Sequence, residues 1–274
     1  MACAACQAYQ KPAPAAAPFF AASPRIAVFP MENLSRKPAP MKEMRQAMIQ
    51  AVARMGAIAL EDADLERFMA RHRVRYVGGL DTVTARHFKD ELGVDAVLLA
   101  ALELYDTASP PKISLTARLV STGEQPRILW IDGVGLAGDD SRGILGLGLI
   151  EDPKLLQEKA LKKITGSLGK FLAGQAGPMN GRRERRFDPK IVYHSPRLHL
   201  DRKGALAVLP FLNDSAMRNA GEIIALDFVR QLARNSSFDI IEPGVVRQKL
   251  LNFRIIMPEG PSLQDIDALF ETLG

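Results

Sequence analysis

The residues with the most chemical potential are two cysteines, four histidines and one stretch rich in glycine and aspartate. Cys3 and Cys6 stand in MACAAC. Their C-x-x-C spacing suits zinc or a redox dithiol, but zinc needs a second pair, and a thioredoxin-like site needs a strand–helix context; the sequence supplies neither. Ala4-Ala5-Cys6 also reads as the tail of a bacterial lipoprotein cleavage box, with Cys6 as the lipidation site and first mature residue. The apolar signal region that such a box follows does not precede it here. An unremarkable N-terminal tail stays open beside that reading. Gly138–Ile150, GDDSRGILGLGLI, offers three internal glycines and Asp139–Asp140 to a phosphate or a metal. It lacks the Gly-Lys-Ser/Thr end of a P-loop and the strand–helix frame of a dinucleotide fingerprint. It reads as a partly apolar loop and a candidate contact site. His72, His87, His194 and His199 show no spacing that suggests a shared metal or a triad. The sequence therefore yields no catalytic residue, no cofactor site and no metal site.

Charge is unevenly placed. The chain of 274 residues carries a formal +5, and Ala176–Lys203 alone holds eight Lys/Arg against three Asp/Glu, so the rest sums to neutral. Arg182, Arg183, Arg185 and Arg186 have no aromatic platform or helix-turn-helix beside them, so nucleic acid is not an expected partner. Contact of this linker with anionic lipid head groups is the simpler use of the charge. With 47% apolar residues, two ordinary cores can be filled.

These residues hang on a pattern that occurs twice. Arg25–Ser35, RIAVFPMENLS, returns as Ala205–Ser215, ALAVLPFLNDS. Ala27, Val28, Pro30, Asn33 and Ser35 recur as Ala207, Val208, Pro210, Asn213 and Ser215. Each apolar strand stops at proline, which cannot donate to a ladder. A loop over Met31–Pro40 leads to a helix whose face is Met41, Met44, Ala47, Met48, Ala51, Val52 and Met55. A methionine-rich face can serve a promiscuous groove, but core packing is the plainer reading. Gly56 ends that helix and Ala57–Leu60 forms a short strand. Asp62 or Asp64 caps a helix to Ala70, and the basic run from Arg71 to Arg75 reads as a solvated helix end. Thr82 caps a third helix over Thr82–Leu92, with Val83, Ala85, Phe88 and Leu92 inward. Val94–Leu104, Ile113–Leu119 and Arg127–Val134 make an antiparallel meander; Ser114, Thr116 and Arg118 alternate with apolar neighbours, as on a strand with one wet face. Asp152 caps a last helix, with Pro153 at its first position.

The second pattern follows the first at an offset of about 180 residues, with Met48, Ile49 and Val52 matched by Phe228, Val229 and Leu232, Arg54 by Arg234, and Ala57–Glu61 by Phe238–Glu242. Thr82–Leu92 maps onto Leu263–Leu273. The expected organisation is a tether over 1–24, a first α+β domain over 25–174, a basic linker over 175–203, and a second, incomplete copy over 204–274. Either the natural protein extends further or the second sheet is completed by another chain.

The residues Ala27-Val28-Phe29-Pro30, Asn33, Ser35 and Leu92-Gly93-Val94-Asp95, with their second set Ala207-Val208-Leu209-Pro210-Phe211, Asn213, Ser215 and Leu273-Gly274, resemble the TolB amino-terminal-like fold. The curli secretion protein CsgG and the penicillin-binding-protein activator LpoB share it. The resemblance implies an α+β tandem of a TolB-N or anticodon-binding-like mixed sheet with helices, second copy truncated. It also implies a bacterial lipoprotein without catalytic activity, periplasmic and held at the outer membrane by a lipid anchor. Its partners would be other cell-envelope proteins or further copies of itself. The long paired membrane hairpins of the curli channel have no clear counterpart here.

Overall fold

The structure is a computed structural model and describes residues 20, 23–141, 148–175, 204–235, 238–252 and 254. Six strands form one mixed sheet. The first, β1 (Arg25–Val28), lies between β3 (Ile58–Ala59) and β4 (Ala96–Asp106) and is parallel to both. All-round burial of Ile26–Phe29 follows, because helices cover both faces. Beyond β4 come β5 (Lys112–Ser121) and β6 (Ile128–Ala137), the antiparallel meander that alternation predicts. β2 (Glu32–Asn33) pairs with β4 inside the stretch expected to be loop. Two residues are too short for any period to show.

On one face lie α1 (Met41–Arg54) and α4 (Pro153–Leu172), packed over Leu98, Leu115, Leu119 and Trp130. The methionine face of α1 is core: Met44 and Met48 are buried there. Asp152 caps α4 by accepting from the Lys154 N–H, and Pro153 stands at its first turn. On the other face α2 (Asp62–Arg71) and α3 (Thr82–Leu92) enclose Phe29, Phe68 and Phe88. Three expectations fail here. The residue before α2 is Glu61, and its side chain makes no cap; Asp62 and Asp64 instead pair with Arg45 and Arg67. Asp81, not Thr82, caps α3, its carboxylate accepting from the Thr84 N–H at 2.9 Å. Val83 is 55% exposed, since that first turn points away from the core.

The Leu92–Asp95 motif has a physical account. Gly93 ends α3 in the left-handed region at φ 58°, where a side chain costs about 1 kcal/mol or more. Two residues on, Asp95 accepts from the Arg25 N–H at 2.9 Å and from Lys89 Nζ at 2.7 Å. It ties the end of α3 to the start of β1. Burial alone would raise this carboxyl; the bonds from Lys89 and the Arg25 N–H outweigh it and hold its pKa below the usual value.

The second segment repeats several local features. β7 (Ala205–Leu206) pairs parallel with β8 (Asp239–Ile240), joining Ala205 to Asp239 where β1 and β3 join Arg25 to Ile58. α5 (Ala220–Asn235) and α6 (Pro243–Asn252) follow β7 and β8 as α1 and α2 follow β1 and β3. The turns share their main side-chain bonds. Ser35 Oγ donates to Asn33 Oδ1 at 2.7 Å, and Ser215 Oγ to Asn213 Oδ1 at 2.7 Å. Asn33 Nδ2 donates to the Lys37 carbonyl, Asn213 Nδ2 to that of Met217. The helix expected over Leu263–Leu273 lies outside the described residues, as do Cys3, Cys6 and Arg182–Arg186.

Candidate functional site

β5 supplies the largest departure from expectation. Thr116 and Arg118, expected on a wet face, are buried; Arg118 is 2% exposed. The cause is the second segment, which lies against that face. α5 sets Leu226 on Leu34 and Ala101, and Asn219 Nδ2 donates to the Leu34 carbonyl at 2.8 Å. Arg234 pairs with Asp132 on β6, whereas Arg54, matched to it by the sequence pattern, donates to the Gln50 carbonyl of its own helix.

The deepest contact is ionic. Glu242, fully buried, stands just before α6. The sequence pattern matches it to Glu61, which is exposed. Its Oε1 accepts from Arg118 Nη2 at 2.9 Å and from the Leu80 N–H at 3.2 Å; its Oε2 accepts from Arg118 Nε at 3.1 Å. Arg118 Nη2 also donates to the Gly78 carbonyl at 2.6 Å. Burial would lower the Arg118 pKa, but the charge and bonds of Glu242 reverse this, so the guanidinium stays charged.

Beside this pair is a cavity of about 280 Å³, walled by Leu226, Val246 and Leu250 and edged by Glu32, Glu222 and Arg247. The Arg247 guanidinium lies 4.2 Å over the Tyr76 ring. Gly78 lies close against the Glu32 carboxylate: a Cβ there would stand 2.3 Å from Glu32 Oε2, so the carboxylate would have to shift to admit one. Burial first, then the Glu222 charge, raise the Glu32 carboxyl, against the pull of Arg118 and Arg247. Burial, then the Glu32 charge, push the Tyr76 hydroxyl up as well. Two carboxyl groups and one guanidinium edge otherwise apolar walls, an arrangement that suits a small polar ligand with an apolar stem.

The Glu32 shift sets a pH slope. The folded carboxyl keeps its proton above the usual 4.5, where the unfolded chain has released it. Folding takes up a proton in that window, so stability falls as pH rises from 4.5 through the folded pKa. Glu32→Gln is expected to flatten that slope and to leave the protein more stable than the parent at neutral pH. Urea titrations from pH 4 to pH 7 measure it; an unchanged slope refutes it.

The glycine-rich loop is described only at its ends. The Gly138 N–H donates to the Pro111 carbonyl and the Ile150 N–H to that of Gly138. Asp140 Oδ2 accepts from the Ala137 N–H at 2.9 Å, so this carboxylate serves the turn; Asp139 is exposed. The structure brings together two histidines that the sequence keeps apart: the rings of His72 and His87 stack, with Glu91 against both. Among the described residues no helix is long and apolar enough to cross a membrane.

The fold and site define an α+β protein with a mixed sheet, whose second segment is held to that sheet by a buried ion pair. No family model matches the chain, and no curated protein does. Among solved structures, it is similar to lipoprotein GNA1162 from Neisseria meningitidis (19% identity, TM-score 0.38, covering 53% of this chain and 98% of that one). It is also similar to the PelC dodecamer from Paraburkholderia phytofirmans (14%, 0.31, covering 52% and 85%). The LpoB C-terminal domain from Escherichia coli is a further neighbour (17%, 0.35, covering 44% and 87%).

Proposed function

We propose that this chain is a non-enzymatic lipoprotein of the bacterial envelope. It faces the periplasm, is anchored through Cys6 to the outer membrane, and acts as a protein-interaction module in envelope assembly or transport. We infer that its two segments are copies of one folding unit; the matched turns and strand registers support this. The observation that carries the interaction role is where apolar surface remains. Of ten large apolar side chains exposed among the described residues, six lie in the second segment, Phe211, Leu212, Met217, Ile224, Phe228 and Leu251. The Phe211 and Phe228 rings touch at 4.8 Å between centroids. Scattered exposed leucines need no explanation, but a concentration on one segment marks a contact surface.

The test has two arms in cells expressing the full-length gene. Palmitate label enters the parent protein and not Cys6→Ser, and the variant leaves the membrane fraction. A photo-crosslinker at Leu212 or Phe228 captures envelope proteins or a second copy, and one at Leu155 on α4 does not. An unlabelled, soluble parent refutes the anchor; equal capture from both faces refutes the interaction surface.

A second reading, a small-ligand or nucleotide-binding protein, was expected to use loop 138–150. The cavity edged by Glu32 and Glu222 favours it on different residues. A panel of nucleotides and small amines tests it, because a ligand that binds only the native state must raise the melting temperature. No rise across the panel ends it.

A further inference from the structure

His72 follows α2 directly, and His87 and Glu91 stand one turn apart on α3, so they share a face of that helix. The two imidazoles stack at 4.3 Å between centroids, and Phe68 backs the His72 ring at 4.5 Å. Glu91 Oε1 lies 2.7 Å from His72 Nε2 and 3.5 Å from His87 Nδ1. All three atoms fall within 4.8 Å of one another.

One atom is out of order. His72 Nε2 is buried and makes no hydrogen bond. Glu91 Oε1, 2.7 Å away, is an ion-pair partner only when the imidazole is protonated. A buried polar nitrogen without a partner is uncommon and asks for a cause. The other Glu91 oxygen, Oε2, is held by Arg71 Nη1 at 2.9 Å. That is the outer bond which fixes the orientation of a ligating carboxylate.

We propose that His72 Nε2, His87 Nδ1 and Glu91 Oε1 form a three-ligand site for a divalent transition metal, with zinc as the ion that fits best. Two imidazoles and a carboxylate suit zinc, whereas calcium and magnesium take oxygen ligands. Zinc–ligand bonds of about 2.0–2.1 Å put tetrahedral ligand atoms about 3.3 Å apart. The His87–Glu91 separation already matches. The His72–Glu91 contact has to open by about 0.6 Å, and the stacked rings have to turn so that each aims its nitrogen at the ion. His87 has the most freedom to move, its side chain 40% exposed against 29% for Glu91, which Arg71 holds, and 18% for His72. The exposed side leaves the fourth position to water. The bound ion would clamp the end of α2 to the last turn of α3.

The full-length chain carrying Cys3→Ser and Cys6→Ser is titrated with zinc by calorimetry, and with cobalt(II) by visible absorption. The serines remove the thiolates as competing ligands. The expected result is saturable binding of one ion per chain, tetrahedral cobalt bands, and a rise in melting temperature with zinc. His87→Ala and Glu91→Gln, both outside the buried core, should each weaken binding by more than about tenfold, since loss of a mere outer-shell partner already costs that much. Absence of saturable binding in the parent overturns the site. So does binding that both variants keep.

Discussion

Replacing Arg118 with methionine is expected to destabilise the protein by about 3–5 kcal/mol, because it leaves the Glu242 carboxylate buried without its counter-charge. The geometry explains why so much rests on one side chain. Glu242 is fully buried, and Arg118 supplies bonds to both of its oxygens. With Arg118 gone, the carboxylate keeps, among the described residues, the Leu80 N–H and the long contact to the Gly244 N–H at 3.4 Å. It must then take up a proton or draw in water, and either loosens α6 from β5. The Gly78 carbonyl loses its donor as well. Glu242→Gln should cost nearly as much, by stranding the guanidinium. The double variant Arg118→Met/Glu242→Leu should recover part of the loss, since a buried pair replaced by apolar groups is often neutral. Urea denaturation measures all three. Arg67→Ala is the control: its bridge to Asp64 is exposed and should shift stability by about 1 kcal/mol or less. Equal effects at Arg118 and Arg67 refute the account. Limited proteolysis separates global from local loss, because weakening this pair should expose 204–252 first.

How much of this was legible in the sequence depends on distance along the chain. α1 and α4 span enough turns for an apolar stripe to declare itself, and the α4 cap is written in Asp152-Pro153. The meander was legible because alternation at β5 is local. The same alternation misled at Thr116 and Arg118. Period two says that these side chains share a face, and nothing in it says what covers that face. The cover comes from α5 and α6, more than a hundred residues on. A matched Glu61 and Glu242 gave no hint that one is exposed and the other buried. The mistaken caps have another cause. Asp62 and Asp64 were plausible by type, but arginines within reach took their carboxylates. His72 and His87 sit on different helices, so only the α2–α3 packing makes them neighbours. Gly78 and Gly79 carry no local sign of what approaches them. They are the places where a carboxylate and a second backbone come close.

That close approach carries the other large effect. Gly244→Ala is expected to cost about 3 kcal/mol, at the upper end for overpacking. A Cβ on Gly244 would stand 2.3 Å from the Leu80 nitrogen and 2.5 Å from its carbonyl carbon, and one on Gly79 would meet the Gly244 Cα at 2.7 Å. These are backbone atoms with no rotamer to turn aside. The first turn of α6 must therefore back away from the Gly78–Leu80 strip. Such a retreat lengthens the Leu80-to-Glu242 bond, which is already 3.2 Å, and also the Thr82 N–H bond to Gln248 Oε1 at 3.2 Å. Gly244→Ala and Arg118→Met thus act on one interface, so their costs should be sub-additive in a double-mutant cycle. Gly135→Ala on β6 is the matched control, since a Cβ there meets nothing within 4 Å. Melting curves of the four proteins and the double variant check this. Strict additivity would mean that the glycine contact and the ion pair hold separate parts of the molecule, and that the second segment is not seated on β5 as one body.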